Sequence, residues 1–191
     1  MSLKLGTFKV YPQKYDDNYF VFYPNDNGCP IENGAGEYCL IGGEVKTSLF
    51  AETIEEKIRL NSQEEFWEET GCKLSSLEII SERVKFWEGV GFGMYFIEIS
   101  PDQLQTLATQ INANFQKVQE EYIPRIKSKD FSSIPTVWSN ELEVVELETL
   151  EAAITRFRSM DPLLADWFVT SLVSYCTYLT INIFFLFFLN V

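Results

Sequence analysis

The sequence predicts a single mixed α/β (α+β) domain, in which strand-like and helical segments alternate along the chain. The chain has 191 residues, 46% of them hydrophobic and 15% aromatic, which is enough for one well-packed core. Runs of β-branched and aromatic residues bounded by turn residues predict strands at 7–11, 18–23, 37–41, 77–86, 93–99 and 142–147. Apolar residues at helical spacing, with helix-start signals, predict helices at 51–70, 101–125, 149–158 and 162–175.

The most informative segment is an acidic cluster near the end of the first predicted helix. Glu65, Glu68 and Glu69 are spaced i, i+3, i+4, so a helix brings their carboxylates to one face. Like charges this close repel one another unless a cation lies between them. Because Mg²⁺ and Mn²⁺ prefer oxygen ligands, the spacing indicates a divalent-metal site. A solvated acidic helix face is the alternative.

This segment resembles the second half of the Nudix box, the signature motif of the Nudix hydrolases. Residues 65–72 match that half position for position, and Glu56 falls on the first Glu of the motif. Two positions depart from the pattern, because Glu64 stands where the family has Arg and Phe50 where it has Gly. The glycine pair that opens the motif is predicted at Gly42 and Gly43, with extra residues before the helix.

The resemblance implies a fold, a reaction and a set of site residues. The implied fold is a mixed β-sheet sandwiched between helices. The implied reaction is hydrolysis of the pyrophosphate bond in a nucleoside diphosphate derivative, with Mg²⁺ or Mn²⁺ as cofactor. The metal ligands would be Glu65, Glu68 and Glu69, together with the backbone carbonyl of Gly43. Glu69, or Glu141 in the loop before the late strand, would receive the proton of the attacking water.

With Glu at position 64, the sequence does not determine which cation would hold the carboxylates of this site in place. In the family, the Arg at this position pairs with the metal-binding carboxylates, whereas Glu64 adds negative charge. Either Arg59 or Lys57 supports the site instead, or the chain is a catalytically weak or inactive Nudix-fold nucleotide-binding or scaffold protein. Glu65 also has a structural alternative, because Ser62 and Glu65 have the spacing of an N-terminal capping box.

Aromatic residues in and near the predicted hairpin are candidates for contacting a nucleotide base. The candidates are Trp87, Phe92, Tyr95 and Trp138. Packing in the core is the alternative for each of them. The glycine-rich run at 89–93 predicts a turn of this hairpin, because no helix follows it to bind phosphate.

Charge and composition exclude several classes of function. A net charge of −13 argues against non-specific nucleic-acid binding, so we expect a small-molecule nucleotide substrate and no nucleic-acid partner. The absence of histidine excludes Ser-His-Asp and Cys-His nucleophilic schemes and histidine-based zinc sites. The four cysteines are scattered and no N-terminal signal segment is visible, which favours a reducing, cytoplasmic setting.

We expect one domain over residues 1–176, with a helical insertion at about 101–135 and an apolar, aromatic tail at 177–191. The insertion forms a lid or a dimer contact, or its apolar face is part of the core. The uncharged stretch 167–191 is long enough to span a bilayer, so attachment to a membrane by this tail is one alternative. Its polar residues and the lack of flanking basic residues favour burial, on the core or against a second subunit in a homodimer.

Overall fold

The structure, a computed structural model, describes residues 4–10, 38–88, 91–128, 130, 132, 142–149, 152, 155, 156, 158, 159 and 184–190. The strand predicted at 18–23 and the helix predicted at 162–175 lie outside the described residues. The described part is a mixed α+β fold, as predicted, with helices packed on a seven-stranded sheet. The strands are β1 (Lys4–Val10), β2 (Tyr38–Cys39), β3 (Ile41–Glu44), β4 (Ser81–Trp87), β5 (Phe92–Glu98), β6 (Leu142–Thr149) and β7 (Phe184–Asn190). The helices are α1 (Ile54–Thr70), α2 (Pro101–Lys117) and α3 (Ile123–Lys127), with a 3₁₀ turn at Leu74–Ser76 and a π-helical turn at Val118–Tyr122.

The C-terminal strand β7 lies inside the sheet. It pairs antiparallel with β5 along its whole length and parallel with β3 along four residues. On the other side of β5, β4 completes the predicted hairpin, and Gly91 in the connecting turn has a φ of 63° that favours glycine. β1 pairs antiparallel with β6 and β2, and at one residue parallel with β7. Residues 184–190 of the predicted tail are therefore a central strand of the sheet.

No helix in the described part of the chain is long and apolar enough to cross a membrane.

Helix α1 begins at a polar cap and ends at a glycine. Thr53 is the N-cap residue, and its hydroxyl oxygen accepts the backbone N–H of Glu56 at 3.1 Å. The Glu56 carboxylate accepts the N–H of Glu52 in return. Gly71 ends the helix with a φ of 72°, and its N–H donates to the carbonyl oxygen of Trp67 at 2.9 Å. The predicted end at Gly71 is confirmed, and the first Glu of the box serves as part of the N-terminal cap.

The capping box considered as an alternative for Ser62 and Glu65 does not form, because both residues lie in the middle of α1. The Ser62 hydroxyl is buried and donates to the carbonyl oxygen of Ile58 at 2.8 Å, one turn earlier. Since α1 runs without a break to Thr70, Glu65 does not cap a helix.

Helix α2 packs its apolar face into the core, as its spacing predicts. Ser100 caps its N-terminus by accepting the N–H of Gln103 at 3.2 Å. The buried residues of this helix are Leu104, Leu107, Ala108, Ile111 and Phe115. They form one cluster with residues of the sheet and with Phe66 of α1. The core alternative for this face therefore agrees with the structure.

A single asparagine connects α2 to the backbone of β6. The Asn112 side-chain amide donates to the carbonyl oxygen of Val145 at 3.0 Å, and its oxygen accepts the N–H of Val145 at 2.8 Å. The side chain thus makes the same pair of hydrogen bonds that a neighbouring strand would make. This contact fixes the position of α2 along the sheet.

Candidate functional site

Two carboxylates of the acidic cluster reach the backbone of the predicted glycine pair. Glu69 is 7% exposed, and its Oε1 accepts the N–H of Gly42 at 3.3 Å. The Glu65 carboxylate lies against Gly43, where a Cβ atom would be 2.9 Å from its Oε2 and 3.1 Å from its Oε1. Any side chain at position 43 would therefore displace the Glu65 carboxylate, so glycine here lets that carboxylate lie against the backbone of β3.

The geometry of α1 explains why these two carboxylates share a side of the helix. Asn61, Glu65 and Glu69 are four residues apart, so they form one row along α1 that faces β3. Asn61 is completely buried, and its Oδ1 accepts the N–H of Lys46 at 2.9 Å. Within the described part of the chain, its amide nitrogen has no hydrogen-bond partner. A buried donor of this kind can bind a water molecule or another acceptor at the site.

The ammonium group of Lys46 lies beside a second row on α1, formed by Glu64 and Glu68, and also approaches Glu65 of the first row. Its Nζ is 2.7 Å from Oε1 of Glu68, 3.4 Å from Oε2 of Glu64 and 3.8 Å from Oε1 of Glu65. Burial lowers the pKa of Lys46, but the hydrogen bond to Glu68 and the charges of all three carboxylates outweigh this effect. The pKa of Lys46 is therefore raised above its ordinary value, and the group is charged at neutral pH.

Lys46 is the cation that the sequence analysis missed. Among the described residues, Arg59 and Lys57 make no ion pair with the acidic cluster, so neither is the support predicted for it. The available signal was the position of Lys46, three residues after Gly43, at the point where the chain leaves β3 beside α1.

The other predicted site residues lie away from this cluster or outside the described residues. Tyr95 is completely buried in the core, and its hydroxyl donates to the carboxylate of Glu82. Burial, the bond to Glu82 and its charge raise the pKa of Tyr95. A buried ring has no free face for a base, so the stacking role predicted for Tyr95 does not fit the structure. Trp87 ends β4, half-buried, with Nζ of Lys85 5.7 Å from its ring centroid. Glu141, Trp138 and the side chain of Phe92 lie outside what the structure describes.

The donor chemistry of the first row suits a hard divalent cation. In the described part of the chain, no three metal-ligating side chains converge on one point. Glu68 is instead engaged by Lys46, while Glu65 and Glu69 meet the glycine pair. Mg²⁺ commonly binds through one or two carboxylates, with water and substrate phosphates filling its other positions. Glu65, which lies against Gly43, and Glu69, which meets Gly42, fit that mode of binding.

Comparisons with known proteins yield no relative, because no family model, no curated protein and no solved structure matches this chain.

Proposed function

We propose that this chain is a Nudix-type, divalent-metal-dependent hydrolase of the pyrophosphate bond in a nucleoside diphosphate derivative. The proposal depends on one observation, the contact of Glu65 and Glu69 with the backbone of Gly42 and Gly43. The motif resemblance implies that Glu65, Glu68, Glu69 and the Gly43 carbonyl share one site. Glu69 reaches the N–H of the neighbouring Gly42, although 27 positions separate the two residues. The pairing therefore supports the motif independently of the helical spacing that first suggested it.

The residues of the chain have distinct parts in this reaction. Glu65 and Glu69, with the carbonyl of Gly43, would hold Mg²⁺ or Mn²⁺, and Glu68 would complete the acidic face. When bound, the metal neutralises the diphosphate and lowers the pKa of a bound water molecule. Glu69 or Glu141 would accept the proton of the attacking water. Because the chain carries a net charge of −13, an anionic substrate needs such a bridging cation to approach these carboxylates.

The rival proposal is a Nudix-fold nucleotide-binding or scaffold protein with little or no catalysis. It is favoured by the 2.7 Å contact between Lys46 Nζ and Glu68 Oε1, because a predicted metal ligand is already paired with a cation of the chain. The Glu at position 64, where the family has Arg, also favours it. Calorimetry separates the two proposals, because tight metal-dependent nucleotide binding without turnover supports the rival.

The decisive assay is a panel of ADP-ribose, dinucleotides, nucleoside diphosphate sugars and nucleoside triphosphates, each with Mg²⁺ and with Mn²⁺. Glu65→Gln and Glu69→Gln should each lower turnover of the best substrate roughly 100-fold or more, because each removes a charge that holds the metal. Glu78→Gln, the same chemical change at an exposed position, serves as the matched control. Unchanged turnover in the two site variants would mean that the assigned site is wrong.

A further inference from the structure

We infer that Lys46 is a positioning residue, whose ammonium group holds Glu68 in place on the acidic face of α1. The inference rests on the proposed function, since it assigns the support of the same site. Lys46 is not a catalytic residue in this scheme, because it acts through Glu68 and not on the substrate. It would supply, from the segment just after β3, the positive charge that the motif normally carries within the helix at position 64.

Lys46 offsets electrostatic repulsion among the carboxylates of α1. Glu64, Glu65 and Glu68 lie within little more than one turn of α1, and carboxylates so close repel one another. Nζ of Lys46 lies within 4 Å of an oxygen of all three, and the shortest of these distances is the 2.7 Å hydrogen bond to Glu68. Among the described residues, no other basic side chain pairs with Glu64 or Glu68. The lysine therefore offsets a repulsion that would otherwise spread the three side chains apart.

Lys46 contacts α1 through both its backbone N–H and its ammonium group. Its backbone N–H donates to Oδ1 of Asn61 at 2.9 Å, and Asn61 is completely buried. Its ammonium group reaches Glu64 and Glu68 further along the same helix. A fixed backbone reduces the conformations that a long lysine side chain can sample, so the ammonium group is held near Glu68.

The ammonium group of Lys46 pairs with two carboxylates, those of Glu64 and Glu68. Glu64 and Glu68 are four residues apart on α1, so a cation between them meets one carboxylate from each of two successive turns. The Glu64 carboxylate that replaces the family's Arg thus becomes a partner of the new cation. The departure at position 64 and the presence of Lys46 form one compensated change.

The test compares four variants of the full chain with the best substrate of the panel. Lys46→Met removes the charge while keeping a long side chain, and should lower kcat roughly 10- to 100-fold with little change in KM. Lys46→Arg keeps the charge and should retain most of the turnover. Adding Glu64→Arg to Lys46→Met should regain turnover, since Arg at 64 lies one turn from Glu68. Lys57→Met is the matched control. Lys57 lies on α1 and, among the described residues, makes no ion pair with Glu64, Glu65 or Glu68, so this variant should behave as the wild type.

The opposite result has a distinct meaning. If Lys46 competes with the metal for Glu68, Lys46→Met raises turnover and lowers the Mg²⁺ concentration needed for half-maximal rate. That outcome overturns the positioning role. An unchanged kcat in Lys46→Met also overturns it. So does a loss of turnover in Lys46→Arg together with a failure of Glu64→Arg to restore turnover to Lys46→Met. A purely structural role would lower the melting temperature of Lys46→Met while leaving the kcat of the folded protein unchanged.

A second measurement keeps this inference separate from the proposed function. A double-mutant cycle of Lys46→Met and Glu68→Gln, followed by denaturant unfolding in a chelator, measures the coupling of the two side chains without metal or substrate. Because both are partly exposed, we expect a coupling of roughly two- to five-fold in the unfolding equilibrium constant. No coupling would overturn the inference even if the chain is an active hydrolase. Coupling in a chain that turns over no member of the panel would refute the proposed function alone.

Discussion

Replacing Gly43 by alanine should damage the site while leaving the fold intact. A Cβ atom at this position would be 2.9 Å from Oε2 of Glu65, whereas ordinary contact begins at 3.4 Å. The Glu65 carboxylate must therefore move by at least about 0.5 Å. The moving group is the far end of a flexible side chain, so the displacement is easy for the fold and harmful mainly to the geometry of the site.

The expected magnitudes follow from this displacement. A functional constellation needs its groups placed to within about 0.5 Å, and a misplacement of about 1 Å lowers rates by as much as 100-fold. We therefore expect Gly43→Ala to lose roughly 10-fold in metal-dependent turnover, which corresponds to about 1.4 kcal/mol. Among the described glycines only Gly71 and Gly91 have positive φ, so the backbone at Gly43 accepts alanine. The lower entropy of the unfolded chain, about 0.4–1 kcal/mol, should offset the small steric cost.

Gly93 of β5 provides the matched control, because the same substitution there disturbs the core instead of the site. A Cβ atom at Gly93 would overlap with Cδ1 of Ile58 and lie 3.1 Å from its Cγ1. Ile58 is completely buried, so Gly93→Ala should destabilise the fold by about 1–3 kcal/mol through overpacking. Thermal unfolding and the rate at saturating Mg²⁺ are measured for both variants. Wild-type turnover in Gly43→Ala, or a loss of stability equal to that of Gly93→Ala, would refute the reasoning.

Three further predictions concern stability. Asn112→Ala removes two hydrogen bonds to Val145 and should destabilise the fold by about 1–3 kcal/mol in denaturant unfolding; a change within error would contradict the anchoring role. Burial raises the pKa of Tyr95, and the carboxylates raise that of Lys46 against the effect of its burial, so both groups favour folding while protonated. Their contribution is complete below about pH 10 and disappears as pH rises through the raised values, so a stability profile that stays flat up to pH 12 would oppose this. Deleting the residues after Tyr178 removes β7 and exposes the edges of β3 and β5, so we expect unfolding or aggregation; a folded, monodisperse product would argue against it.

The elements that could be predicted from sequence are those with local signals. The hairpin of β4 and β5 follows from two apolar runs around a glycine turn, and α2 from its helical spacing after Ser100. The start of α1 shows how local signals compete. Thr53 with Glu56 and Ser62 with Glu65 have the same capping-box spacing, and only packing decides between them. The site at Ser62 is buried against the sheet, so the cap forms at Thr53.

The features that could not be predicted depend on contacts between distant parts of the chain. An uncharged aromatic run such as residues 184–190 suits a strand, a buried helix or a membrane segment equally well. Its place between β3 and β5 depends on which edges the rest of the fold leaves open. Lys46 presents the same difficulty, because 22 positions separate it from Glu68. Its place just after the glycine pair indicates a contact with Glu68 only once β3 is known to pack on α1.

The division of the acidic cluster into two rows follows from helix geometry together with these distant contacts. The motif spacing predicts that three carboxylates share one face, but successive residues turn by about 100° around a helix axis. Glu65 and Glu69 therefore point to the glycine pair, whereas Glu68 lies toward Lys46. The partner that each row meets on β3, or just after it, determines its chemistry. Glu69 accepts the N–H of Gly42, and Glu65 lies against Gly43 with its Oε1 3.8 Å from Nζ of Lys46. The shorter contacts of Lys46 are with Glu64 and Glu68 of the neighbouring row. The motif spacing thus identifies the acidic face, and the residues on β3 and just after it decide which partner each of its carboxylates meets.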